Sequence, residues 1–123
     1  MMPERHLRNQ IRSLFDAARG RVRAFTGLYA DEDLANEVLS ACDEALVLAG
    51  TSPRLDELRE VVESRCHQLA EVTNRFSARD PVVIAAARMQ VVIAIDQMQD
   101  AALEHLMAES TQRPHGLLKR RSL

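Results

Sequence analysis

The fold is decided by residues 80–109, which read DPVVIAAARMQVVIAIDQMQDAALEHLMAE. Aspartate followed by proline is a typical helix start, because the aspartate caps the first turn and the proline fits into it. At about 100° per residue, the apolar side chains of this helix form two seams on roughly opposite faces. One seam consists of Ile84, Val91, Ile95, Met98 and Ala102. The other consists of Val82, Ala85, Met89, Val92, Leu103 and Met107.

A helix at the edge of a small monomer needs only one apolar seam, because it buries one face. This helix has two. The second seam predicts a second contact surface, and we expect a homodimer that forms through this helix. The sequence does not say which seam faces the partner chain. The predicted interaction residues therefore come from both seams: Val82, Ile84, Met89, Val91, Val92, Ile95 and Met98.

Three further helices are predicted before residue 80, from apolar side chains spaced three and four residues apart. The first runs over 3–29, the second runs from about residue 31 to Gly50, and the third runs from Ser52 to Phe76. No segment alternates with the period of a strand. Because the connections are short, neighbouring helices should be antiparallel. The predicted fold class is all-α, an antiparallel bundle of four helices that dimerises through the fourth.

The length and composition are those of one globular domain. The chain has 123 residues, of which 46% are hydrophobic and 28% are charged, ordinary values for a soluble protein. We expect a single helical domain over 1–109. Pro114 and Gly116 disfavour a helix in the basic segment that follows, so residues 110–123 are predicted to be a flexible basic tail.

Charge is distributed unevenly along the chain. Residues 1–24 carry six arginines against two acids, whereas residues 31–63 carry ten acids against two arginines. Five arginines of the first helix project within about 60° of one another. This basic stripe consists of Arg5, Arg8, Arg12, Arg19 and Arg23. Such a stripe suits nucleic-acid phosphates, an acidic protein or an anionic membrane, but we expect it to pair with the acidic second and third helices of its own chain.

Cys42 and Cys66 fall on predicted helices and have no metal-binding or disulfide spacing. Free buried thiols fit a reducing compartment, and the N-terminal residues lack the apolar segment of a signal peptide. The apolar run 82–95 is shorter than a bilayer span and contains Arg88. We therefore expect a cytoplasmic protein without a membrane partner.

His67 is the strongest candidate for acid–base chemistry, because Glu63 and Glu71 lie about one helical turn to either side. The same spacing is typical of a solvated helix face, and no nucleophile, phosphate-binding or metal motif accompanies it. We expect His67 to face solvent, and we predict no catalytic residue, metal ligand or cofactor. Asp96 must be exposed or paired with an arginine, such as Arg88 or one from a partner chain, because an unpaired buried carboxylate is unfavourable.

These features favour a non-enzymatic regulatory or adaptor protein that acts by binding another protein. An anti-activator or a chaperone would suit a compact helical dimer with adaptable methionines on its surface. The first alternative is a nucleic-acid-binding regulator that uses the basic stripe. The second is a small helical enzyme with a site between helices. Salt-sensitive binding would favour the first alternative, and a polar pocket with converging charges would favour the second.

Overall fold

A computed structural model of the chain describes residues 4–25, 33–73 and 80–122, and beyond residue 109 it describes the backbone only. Within these residues the chain forms four α-helices and no strand. The helices are α1 (Glu4–Ala24), α2 (Leu34–Ala49), α3 (Pro53–Val72) and α4 (Pro81–Ser122). The predicted all-α fold class is confirmed.

The helices form a bundle in which each packs on the next and α4 closes the ring against α1. α2 and α4 also meet across the centre, whereas the described parts of α1 and α3 do not touch. α1 and α4 run antiparallel: Arg8 near the start of α1 contacts Met107, and Phe25 just after its end contacts Arg88. The position of α4 between α1 and α3 leaves one of its faces uncovered.

The start of α3 agrees with the prediction, but its end differs. Ser52 caps the helix by accepting a hydrogen bond from the backbone N–H of Leu55 at 3.2 Å. The helix ends at Val72, before the predicted end at residue 76, which lies outside the described residues. Thr73 closes the last turn, because its buried hydroxyl donates to the carbonyl of Leu69 at 2.9 Å.

Gly50 ends α2, as predicted. It has a φ of 90°, a conformation that residues with a Cβ rarely adopt, and its N–H donates to the carbonyl of Leu46 at 2.8 Å. A Cβ at this position would also lie 3.2 Å from Nε2 of His105 on α4. Glycine is therefore required here both by the backbone conformation and by the close approach of α4.

α1 ends at Ala24, earlier than the predicted end at residue 29, and residues 26–32 lie outside the described part of the chain. Arg88 of α4 stabilises this end. Its Nη2 donates to the carbonyl of Phe25 at 2.7 Å, and its Nε donates to the carbonyl of Val22 at 3.3 Å. The guanidinium thus donates to two carbonyls at a helix C-terminus, of which that of Val22 also accepts from the N–H of Phe25 at 3.2 Å, and the helix dipole favours a cation there.

Arg88→Met should therefore destabilise the bundle, since it keeps much of the apolar stem but removes both hydrogen bonds. Hydrogen bonds from charged groups are each worth about 1.5–3 kcal/mol, and because Arg88 is partly exposed we expect a loss of about 2 kcal/mol. Urea unfolding followed by circular dichroism measures it. Arg54→Met is the control, because that side chain is 70% exposed. Equal unfolding midpoints for the two variants would contradict this role of Arg88.

α4 is longer than predicted. The sequence predicts that the helix ends near residue 109, whereas the backbone is helical to Ser122. The leucine, lysine and arginine residues at 117–121 favour a helix. Their preference offsets the helical hydrogen bond that is lost because Pro114 has no backbone N–H. The flexibility expected of residues 110–123 stays a prediction.

The core draws on α1, α2, α3 and one side of α4. Among the described residues, its largest fully buried side chains are Phe15 and Phe25. The inner side of α4 consists of Val91, Ala94, Ile95, Met98, Ala102 and Leu106. Cys42 and Cys66 are both buried and unbonded, as predicted.

By length and composition α4 would also suffice to cross a membrane. Between Pro81 and Glu109 it reaches a mean hydropathy of 1.4 over a window of 18 residues. Mostly buried core helices of soluble proteins also have this property; in α4, 22% of the window is buried, and its inner side lies in the core of the bundle. The expected absence of a membrane partner stays a prediction.

Candidate protein-binding surface

The first half of α4 exposes a continuous apolar surface. Its exposed fractions are 76% for Val82, 46% for Val83, 57% for Met89 and 41% for Ile93. We call these four residues together with the exposed Ala85 and Ala86 the outer apolar patch. The patch covers about three turns of helix and contains no charged residue. Apolar surface of this kind is typical of a docking site.

The structure distinguishes the two predicted seams of α4. Val91, Ile95 and Met98 are fully buried. These three predicted interaction residues therefore pack in the core of their own chain. Ile84 and Val92 are half-buried, and Val82 and Met89 are exposed. The outward seam is therefore the one that contains Val82 and Met89.

Val83 and Ile93 belong to the outer apolar patch but are absent from the predicted interaction set. Ile93 lies four residues after Met89, and this spacing places both on one helix face. The sequence signal was present. It was obscured because Val91, Val92 and Ile93 are consecutive apolar residues that point in three directions.

Beyond the patch, the same face of α4 becomes acidic. Asp96, Asp100 and Glu104 are exposed, and Met107 follows with 46% exposure. Asp96 is both exposed and paired, since its Oδ1 lies 2.8 Å from Nε of Arg19. Its arginine partner comes from α1, rather than being Arg88 or an arginine of a second chain.

The basic stripe on α1 divides into paired and free arginines. Arg19 donates to Asp16 at 2.7 Å, to Asp96 and to Gln99. Nη1 of Arg8 lies 3.9 Å from the sulfur of Met107, and its buried Nε has no hydrogen-bond partner among the described residues. The remaining members are exposed and make no ion pair within the described part of the chain: Arg5, Arg12 and Arg23.

The expected pairing of the stripe with α2 and α3 is therefore wrong for Arg19, whose acidic partner on another helix is on α4. α1 lies beside α4 and, within the described residues, does not reach α3. Among the described residues of α1, Arg21 is an arginine that pairs with α2, through Glu37, and it lies outside the stripe.

The other candidate sites have weaker structural support than the outer apolar patch. His67 is exposed, as its spacing predicts, so water screens it from Glu63 and Glu71. An open groove of about 470 Å³ lies between α1 and α2, with Leu14 and the 83% exposed Val47 among its lining residues. No group of three or more histidine, cysteine or acidic side chains suited to a metal occurs among the described residues.

Burial raises the pKa of the Cys42 thiol to about 12, and the neighbouring Cys66 and Asp43 add to the shift. Burial likewise raises the pKa of the Cys66 thiol to about 12, with a further contribution from Glu63. Reactive cysteines have a lowered pKa and are accessible to solvent. These two thiols are therefore structural core residues.

Among the described residues, the outer apolar patch is thus a clear departure from an ordinary solvated surface. No protein-family model, curated protein or solved structure matches this chain.

Proposed function

We propose that this chain is a small non-enzymatic regulatory or adaptor protein of the cytoplasm that acts by binding proteins through the outer apolar patch. The observation that carries the proposal is the exposure of Val82, Met89 and Ile93 on one uncharged helix face. A fully buried Val, Ile or Met side chain gains about 1.5–3 kcal/mol relative to water. Covering the patch therefore supplies a substantial driving force for association.

The chemistry of the patch suits an apolar helix or groove of a partner protein. Helix faces commonly dock with anchors spaced three, four and seven residues apart, and Val82, Met89 and Ile93 have such spacing. The flexible side chain of Met89 adapts to differently shaped partners. This is the behaviour expected of an anti-activator or a chaperone.

Met89→Glu combined with Ile93→Glu should abolish partner binding and leave the fold intact, because both side chains are exposed. We would tag the chain in its host, cross-link the cells and identify the proteins captured. The control is Val47→Glu, which introduces the same charge at an 83% exposed valine on α2. The proposal predicts partners that Val47→Glu retains and the double variant loses. Equal partner sets for the three chains would overturn it.

An anionic membrane could also cover an apolar helix flanked by arginines. Co-sedimentation with phosphatidylglycerol vesicles distinguishes this occupant from a protein. The proposal predicts that the wild-type chain stays in the supernatant. If it pelleted with the vesicles and the double variant did not, the patch would be a membrane surface instead.

Nucleic-acid binding is a second candidate, favoured by the exposure of Arg5, Arg12 and Arg23, which make no ion pair with another described residue. Such binding would weaken steeply with salt. It would be abolished by Arg12→Glu with Arg23→Glu and would be unaffected by the double variant of the patch.

A further inference from the structure

We infer that the outer apolar patch docks a second copy of this chain, with the two α4 helices crossing antiparallel at Ala85 and Ala86. This inference rests on the proposed function, since it names the first partner of the same surface. Two features of the patch carry it: the order of large and small side chains, and the position of the charges.

The side chains of the patch are arranged symmetrically by size. Ala85 and Ala86 are exposed at its centre, Val82 lies one turn before them, and Met89 lies one turn after. In an antiparallel pair, Ala85 and Ala86 of the second copy lie against the same alanines of the first. Val82 of each copy then lies beside Met89 of the other. A two-fold dimer requires such a self-complementary surface, and small residues at the crossing let the helix axes approach to about 8 Å.

The charges of α4 select the antiparallel orientation. Asp96, Asp100 and Glu104 continue the outer face beyond the patch. A parallel partner that covers the same patch must be in register, which brings each carboxylate towards its own counterpart and causes repulsion. In the antiparallel pair, the carboxylates of each copy project past the start of the partner's α4. The carboxylates of the two copies therefore lie at opposite ends of the dimer, so the repulsion of the parallel pair is absent.

The overlap is short, because α4 begins at Pro81, and a crossing at Ala85 and Ala86 places this position opposite residue 90, so the two helices overlap over about 15 Å. Stable complexes bury about 1,200 Å² or more, which exceeds what one crossing of three turns provides. We therefore expect a reversible dimer with a Kd on the order of 10 µM. Another apolar helix could displace the second copy from the same surface.

Sedimentation equilibrium of the full chain between about 1 and 200 µM tests whether the patch binds a second copy. The wild-type chain should change from monomer to dimer over this range. Met89→Glu should raise the Kd at least about tenfold, whereas Val47→Glu should leave it unchanged. A wild-type chain that remained monomeric throughout would overturn the inference.

Ala86→Leu separates a specific crossing from general apolar adhesion. The larger side chain adds apolar area but holds the two helices apart at their closest point. The crossing predicts a Kd at least about tenfold higher, whereas general adhesion predicts a lower one. Tighter association of Ala86→Leu would overturn the inference.

Disulfide cross-linking tests the orientation, with copper phenanthroline and dissolved oxygen as the oxidant: two thiols form one disulfide, release two protons to water and pass two electrons through the copper complex to oxygen. Ala86→Cys lies at the two-fold axis of an antiparallel pair and should cross-link. Asp100→Cys should not, because the two copies of residue 100 then lie at opposite ends of the dimer. Cys42 and Cys66 are buried and should not compete. Equal cross-linking at both introduced positions would indicate a parallel pair.

These outcomes are separable from those of the proposed function. A monomeric wild-type chain that still loses its cellular partners on substitution of Met89 and Ile93 would reject the second copy and retain the binding surface. A dimer that forms as expected, with no cellular partner dependent on the patch, would retain the second copy and reject the regulatory function.

Discussion

Ile95→Asp should unfold this protein. Ile95 is fully buried on the inner side of α4, within a helix that contacts all three of the others. The substitution removes about 1.5–3 kcal/mol of apolar burial and places an unpaired carboxylate in the core, which costs several kcal/mol more. Domains of this size are stable by about 5–15 kcal/mol. We therefore expect the loss of the cooperative thermal transition in circular dichroism at neutral pH.

Ile93→Asp is the matched control, since it makes the same change two residues away on the outer apolar patch. The 41% exposure of Ile93 lets the new carboxylate reach water. Its effect on the free energy of unfolding should stay within about 0.5 kcal/mol when measured below the concentration at which dimers form. A folded Ile95→Asp chain with an unchanged midpoint would show that the seam containing Ile95 does not face the core.

This pair of substitutions marks the limit of sequence reasoning for α4. The two seams follow from helical spacing alone, and so does the presence of more apolar surface than one bundle needs. The choice between them does not follow, because both seams consist of aliphatic side chains and methionine and are similar in apolarity. It depends on where α1 and α3 pack, which is fixed by the burial in one core of apolar residues that are distant in sequence, such as Phe15 of α1 and Ile95 of α4.

The helix ends show the same division between local and tertiary causes. Ser52 and Gly50 act through the neighbouring backbone, and the sequence predicts both. The end of α1 is stabilised by Arg88, which is 63 residues from Phe25 along the chain, and no local pattern reports such a contact.

The basic stripe shows why charge totals are poor predictors of ion pairs. The spacing of the arginines correctly predicts that they share one side of α1. Their partners were inferred from the excess of acids in residues 31–63. Arg19 instead binds Asp96, because an exposed ion pair contributes only about 0–1 kcal/mol and forms between residues that core packing has already brought together.

The buried thiols should make the stability of the protein fall steeply in alkaline solution. Burial raises the pKa of Cys42 and of Cys66 from 9.0 to about 12. Between these two values the folded state holds more protons than the unfolded state, so the free energy of unfolding decreases as pH rises. At about pH 10.5 each thiol should account for a loss of about 2 kcal/mol relative to neutral pH. Below the unfolded pKa this contribution is fully retained.

Urea unfolding at about pH 8 and pH 10.5, under reducing conditions, measures the effect. The control chain carries Cys42→Ala and Cys66→Ala. It should be somewhat less stable at pH 8, because two small cavities remain in the core, but it should lose much less stability between the two pH values. The two chains share all their other titratable groups, so any contribution from these groups cancels in the comparison. An equally steep decline in both chains would mean that the thiols ionise in the folded state as readily as in the unfolded one. In that case α2 and α3 would not enclose them as the buried positions of Cys42 and Cys66 require.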